Sequence, residues 1–421
     1  MRNKLFTILI IGIILRLVLS FSTFHSDVQP FDFAGKVISQ GNILNFYDYL
    51  WKLPDDSRIL KVYPRNLFNY PPAVYFFLGG ASRLTTWMVD PTIHNNFILD
   101  FPSTLGSIQL NLLLLLLKIP YLPFDIVCAY LLMALFKEEK KKIWVFTIWM
   151  LNPISLFATY MMGTFDIIPA FFSLLCLYMV VRKAGKLNSS NLLAESVVLG
   201  LGGAFKIFPL LFLVPLAALK KGWIDRIKIV GVGLMTYLLT ILPFIGSKGF
   251  RTTALLAGQI TKSLYAQIPI SGGESIILFI VFVIFFYVAF LVKQSPPENL
   301  WRRFFVMMLI FFIFTHYHPQ YFLWITPFLI IDIVKSNFKN WLPLGLSIFS
   351  FLGLLTFFDP GLSVWLFSPL FPALYHLPGI WQLLGLNPDI NLLRSIFQTI
   401  FVGAAFYYLY SNFPNNSNNK A

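Results

Sequence analysis

Two carboxylates in a short polar stretch carry the first chemical signal in this chain. The run His25-Ser26-Asp27-Val28-Gln29-Pro30-Phe31-Asp32 follows an apolar segment of helical length, and more polar punctuation comes at Asn69-Tyr70-Pro71-Pro72. If the apolar segment crosses a bilayer, these carboxylates sit at its outer edge. A charge there is costly unless it is solvated, paired or functional. A carboxylate in that position can take the proton of an attacking hydroxyl. Asp27 has no evident local partner and reads as functional. Asp32, two residues after Pro30, has two readings: the second carboxylate of a catalytic pair, or the cap of a helix over 33–40.

Other polar residues stand out against the apolar background: Asp166, Lys206, His316, Tyr317, His318 and Gln320. They come from separate hairpins yet fall at one membrane depth in the topology argued below. His316 and His318 bracket a bend before Pro319, where a structural role is as open as chemistry. Zinc ligation by that pair lacks further ligands at suitable spacing, and no cofactor is implied. Asp125, after Pro123, reads as a cap for an apolar segment, with Lys118 snorkelling or pairing with it. Cys128 and Cys176 both fall in apolar spans and read as small buried hydrophobes, not as a disulfide or a metal site.

The elements that must position these residues follow from composition. The chain of 421 residues is 57% hydrophobic and 12% charged, with mean hydropathy +0.73, which excludes an ordinary soluble protein. A bilayer crossing takes about 20 apolar residues over about 30 Å. The net charge of +14 is confined to short tracts such as Lys137-Glu138-Glu139-Lys140-Lys141-Lys142 and Arg302-Arg303. Placing those tracts inside puts 19 Lys and Arg against 6 Asp and Glu on the cytoplasmic side. Topology thus accounts for the charge, and no nucleic-acid partner is needed. The apolar run at 5–24 carries Arg16 and no Ala-x-Ala cleavage site, so it reads as an anchor rather than a signal peptide.

The resulting fold class is all-α: one integral membrane domain, a polytopic helix bundle of about 12 spans. The spans are expected at 5–24, 108–136, 143–161, 167–182, 192–204, 207–219, 228–245, 275–292, 303–315, 320–334, 341–357 and 392–410. A first external loop covers 25–104, and within it residues 72–88 read as a helix in the outer interface, with Tyr75, Arg83 and Trp87 suited to that depth. A second external loop covers 246–274, and the tail 412–421 reads as disordered. No internal repeat is visible.

The order of motifs along the chain resembles a known class. Asp27 is followed by Gly41, Tyr70-Pro71-Pro72, Lys118 with Asp125, Asn152-Pro153, Gly163-Thr164-Phe165-Asp166, Phe205-Lys206-Ile207-Phe208-Pro209 and His318-Pro319-Gln320-Tyr321-Phe322-Leu323-Trp324. This is similar to the GT-C integral membrane glycosyltransferases, and resembles most the mannosyltransferase-like branch related to the glycosylphosphatidylinositol mannosyltransferases. Two features depart from it. Members often carry Gly-Gln-Phe-Asp where this chain has Thr164, and Asp27 and Asp32 are not a tight Asp-x-Asp pair.

The resemblance implies transfer of a hexose, in particular mannose, from a polyprenyl-phosphate donor to a glycan or lipid acceptor at the extracytoplasmic face of the plasma membrane. It implies Asp27, with Asp32, as the catalytic carboxylates. It implies Lys206, Asp166, Arg251, Lys262, His318, Gln320 and Tyr321 as the groups that hold donor phosphate or sugar. Cations suffice for a lipid-phosphate leaving group, so no metal is expected. Two other classes stay open. A transporter or flippase for lipid-linked sugars would show internal pseudo-symmetry and a midplane site. A non-catalytic scaffold for envelope assembly would tolerate loss of Asp27.

Overall fold

The computed structural model describes residues 2–186, 191–255, 261–293 and 295–413. The protein is almost wholly helical, with a single two-stranded hairpin at Gln267–Pro269 and Ser275–Ile277 among the described residues. Five described helices are long and apolar enough to cross a membrane: Asn3–Ser22, Ile108–Ala134, Glu139–Met161, Trp223–Phe244 and Ile390–Asn412. Five further apolar helices are shorter: Ile167–Arg182, Leu193–Gly203, Phe208–Ala217, Leu278–Val292 and Trp341–Thr356. Leu300–Phe314 and Phe322–Lys335 supply the buried centre. Nearly every side chain of those two helices is enclosed, whereas Leu278–Val292 leaves most of its Ile, Val and Phe residues exposed or half-exposed. Apolar surface that faces outward in this way suits a lipid environment. The expected disordered tail lies, beyond Phe413, outside the described residues, as does part of the expected loop 246–274.

Local chemistry sets the helix ends. Ser107 accepts from the Gln109 amide, Asn152 from Ile154 and Ser155, and Asp389 from Leu392, each satisfying amides that the first turn leaves unpaired. Pro153 interrupts the third long helix, which continues as a π-turn over Leu156–Met161. The chain then reverses at Gly163, whose φ of +76° few residues other than glycine adopt.

Four sequence expectations are corrected. Asp32 does not cap a helix at 33–40: the helix runs Gln29–Ser39 from Pro30 in its first turn, and Asp32 lies inside it. Its buried carboxylate accepts from the Ser82 hydroxyl and lies 2.7 Å from His94 Nε2. Tyr75 does not sit at an interface: it is fully buried, and its hydroxyl accepts from the Asn69 and Tyr70 amides. Its helix, Pro72–Thr85, packs on Gln29–Ser39 so closely that a Cβ on Gly35 would come 2.5 Å from the Gly79 carbonyl oxygen.

Asp125 and Lys118 do not pair, and neither snorkels. Asp125 is fully buried and accepts from Arg16 Nε at 2.6 Å, Trp149 Nε1 at 2.7 Å and the Tyr160 hydroxyl at 2.8 Å. Lys118, equally buried, donates to the carbonyls of Thr23 at 2.6 Å, Met161 at 3.3 Å and Ser20 at 3.4 Å. Arg16 is the partner instead, and its guanidinium also donates to the Gly12 and Met150 carbonyls, at 2.9 and 2.7 Å.

Candidate functional site

The first helix ends at Ser22, and the chain turns through a 3-10 segment, Ser26–Val28, before Pro30 starts the next helix. Lys118 holds this turn from below. It ties the carbonyls at the end of the first helix to that of Met161, so the loop bearing Asp27 and the loop entering Gly163 share one anchor. A Cβ on Gly163 would strike Val28 Cγ1 at 2.8 Å, so glycine also permits the two loops to close together.

Above this junction lies a cavity of about 380 Å³. Asp27 lines it together with His25, Gln29 and Phe31 from the first loop. Asn69 and Tyr70 enter from the second motif, and His318, Gln320 and Tyr321 from the late one. Asp27, His318, Gln320 and Tyr321, all expected from sequence, are thus brought to one place. The Asp27 side chain is 36% exposed and makes no Lys or Arg ion pair among the described residues. Its nearest ionisable partner is His25, with Nδ1 3.6 Å from the carboxylate. The same nitrogen accepts the Asp27 amide at 3.2 Å, so the local partner not apparent in the sequence is His25.

His318 is held neutral. Burial, reinforced by the positive charge of Lys262 and then by His316 and Lys206, pushes its pKa down to about 3. Neither Lys262 nor Lys206 lines the cavity. Lys206 lies under the floor, 8% exposed, with Nζ 2.5 Å from Asp166 Oδ1. Four rings surround that ammonium: Tyr321, Phe165, Trp324 and Tyr70, at 4.2, 4.9, 5.0 and 5.5 Å. Trp324 Nε1 donates to the same Asp166 oxygen at 2.6 Å, while Oδ2 has no partner among the described residues.

Two expected residues stand apart. Asp32 is locked between Ser82 and His94 and does not line the cavity. Arg251 is exposed and donates to the Ile245 and Gly246 carbonyls at 2.8 and 3.2 Å, closing the end of a helix.

Sequence reasoning missed a whole wall. Residues 359–376 form three 3-10 turns, Pro360–Leu362, Val364–Phe367 and Pro372–His376. They deliver Asp359, Trp365 and Tyr375 to the cavity. This strap is fastened to the first loop by the Phe24 amide, which donates to the Leu366 carbonyl at 2.8 Å. The density of Trp, Tyr and Pro there was the available signal, but 3-10 turns carry no amphipathic period to expose it.

Comparison with known proteins gives no neighbour. No family model matches the chain, and no curated protein and no solved structure matches it either. Its function rests on the site itself.

Proposed function

We propose that this chain is an integral membrane glycosyltransferase of GT-C type, transferring a hexose, with mannose the first sugar to test, from a polyprenyl-phosphate carrier to an acceptor hydroxyl. The reading takes all twelve apolar segments as spans of the plasma membrane and puts the cavity on the extracytoplasmic side. The observation that carries it is Asp27: a half-exposed carboxylate with no Lys or Arg partner, facing a cavity with aromatic and amide walls.

In this reaction the acceptor oxygen attacks the anomeric carbon while its proton passes to an Asp27 oxygen. The bond from the anomeric carbon to the phosphate oxygen breaks, and its electron pair leaves on the lipid phosphate. Lys206 and Lys262 are the cations assigned to that developing charge. Neutral His318, with Gln320 and Tyr321, offers uncharged hydrogen-bonding groups suited to sugar hydroxyls. Asp32 has no vacant oxygen facing the cavity, and its part is to hold the Gln29–Ser39 helix against His94. Arg251 takes no part.

The test combines genetics and enzymology. Mass spectrometry of envelope glycans and lipids, with and without the gene, identifies the missing hexose. With the purified protein, Asp27→Asn lowers turnover by about a hundredfold or more and leaves donor binding intact. Asp32→Asn lowers melting temperature more than turnover. Wild-type turnover in a folded Asp27→Asn protein would refute the assignment.

A further inference from the structure

The chemistry of the cavity walls is more specific than that of a general polar pocket. Among the described residues no Lys or Arg lines it, whereas two carboxylates, Asp27 and Asp359, do. His318 is kept neutral by burial and the neighbouring positive charges. An anionic ligand would therefore meet two carboxylates and no Lys or Arg among the described residues, which disfavours it. The volume, about 380 Å³, falls at the small end of ligand sites.

Two features point to what would fit. Trp365 and Tyr375 form an aromatic corner, their ring centroids 5.2 Å apart and their planes inclined at 42°. The Trp365 indole N–H is already taken by the Leu377 carbonyl at 2.8 Å, which fixes the ring, so what it can offer a ligand is its face. Gln320 provides the second, independent feature. It is 95% buried, since only 5% of it is exposed, and its Oε1 has no hydrogen-bond partner among the described residues. A buried amide oxygen left unpaired is costly, and a ligand hydroxyl would remove that cost.

We propose that the cavity is a subsite for a neutral pyranose, stacked through its C–H face on Trp365 and Tyr375 and hydrogen-bonded through its hydroxyls to Gln320, Asn69 and Asp359. Resting on the transferase reading, this makes the acceptor a glycan whose accepting unit is an uncharged sugar, not a phosphorylated headgroup. It also separates two tasks in space. The sugar lies within the cavity beside Asp27, and the phosphate of the donor lies beyond its walls.

Binding can be measured without turnover. The full chain in nanodiscs is titrated with methyl α-mannopyranoside, methyl α-glucopyranoside and, as the anionic comparator, glycerol 1-phosphate, by saturation-transfer difference NMR. At least one pyranoside is expected to give signals from its ring C–H protons, and glycerol phosphate none. Trp365→Leu and Gln320→Ala each weaken that binding by about tenfold, as loss of a central contact does. Tyr375→Leu gives an independent check should Trp365→Leu lower the melting temperature. Pyranoside binding by a protein that shows no transfer would sink the transferase reading and leave the subsite standing. Absence of pyranoside binding to wild type, preference for glycerol phosphate, or unchanged binding in folded Gln320→Ala and Tyr375→Leu would each overturn the subsite.

Discussion

The most severe test of the packing is the buried network around Asp125. Its carboxylate takes three donors, from Arg16, Trp149 and Tyr160, and both charged side chains are fully enclosed. Asp125→Leu strands the Arg16 guanidinium, and Arg16→Met strands the carboxylate. Breaking one side of a buried pair costs about 3–5 kcal/mol, so the two single changes together predict about 6–10. The double change removes both charges and leaves mainly the Trp149 and Tyr160 donors unpaired, at about 1–3 kcal/mol each. The double mutant should then be more stable than the sum of the singles by about 4 kcal/mol. That coupling is larger than the ~0.6 kcal/mol average for neutral hydrogen bonds between membrane helices. Equilibrium unfolding of the four proteins in mixed micelles by SDS titration measures it. Additivity within about 0.5 kcal/mol would refute the reasoning, because it would mean that the charges do not face one another.

Three further outcomes follow from the geometry. Lys206→Met should remain folded and lose affinity for the polyprenyl-phosphate sugar, with Lys206→Arg partly active; a Lys206→Met protein that is as destabilised as Asp166→Asn would reduce the pair to a structural one. The His318 pKa is lower in the folded protein, about 3, than its ordinary 6.5, so between those values the unfolded chain binds the extra proton. Stability from this residue is complete above pH 6.5 and drains away as pH falls towards 3, and His318→Gln should flatten the melting-temperature profile in that window. In a background free of Cys128 and Cys176, cysteines at Gln29 and Pro360 should react with an impermeant reagent from outside and cysteines at Glu139 and Ser295 should not; outside labelling at Ser295 would break the twelve-span arrangement.

Residues that share a motif were legible, and residues that meet only through packing were not. Asp27, His318, Gln320 and Tyr321 could be nominated because a polar side chain at the end of an apolar run is conspicuous in the sequence. Lys206 and Asp166 stood out for the same reason, each being isolated at a turn. The partner of Asp125 was misjudged because pairing was sought nearby, whereas Arg16 arrives from a helix 109 positions away. His94 gave no warning, since a lone histidine in a polar loop resembles a solvated one until a helix is packed beneath it. The cage around Lys206 was equally hidden: 46 phenylalanines and 18 tyrosines make any four rings unremarkable in the sequence.

The strap has a consequence for how the protein is made. The hydrogen bond from Phe24 to Leu366 joins the first loop to a segment synthesised much later. Asp27 is synthesised early, but its cavity lacks a wall until residues 359–376 have followed. During biosynthesis the carboxylate is therefore without the Asp359, Trp365 and Tyr375 side of its cavity. A chain that stalls or is cut before the strap would keep Asp27 but not the enclosed cavity, which is complete only when the last turns dock.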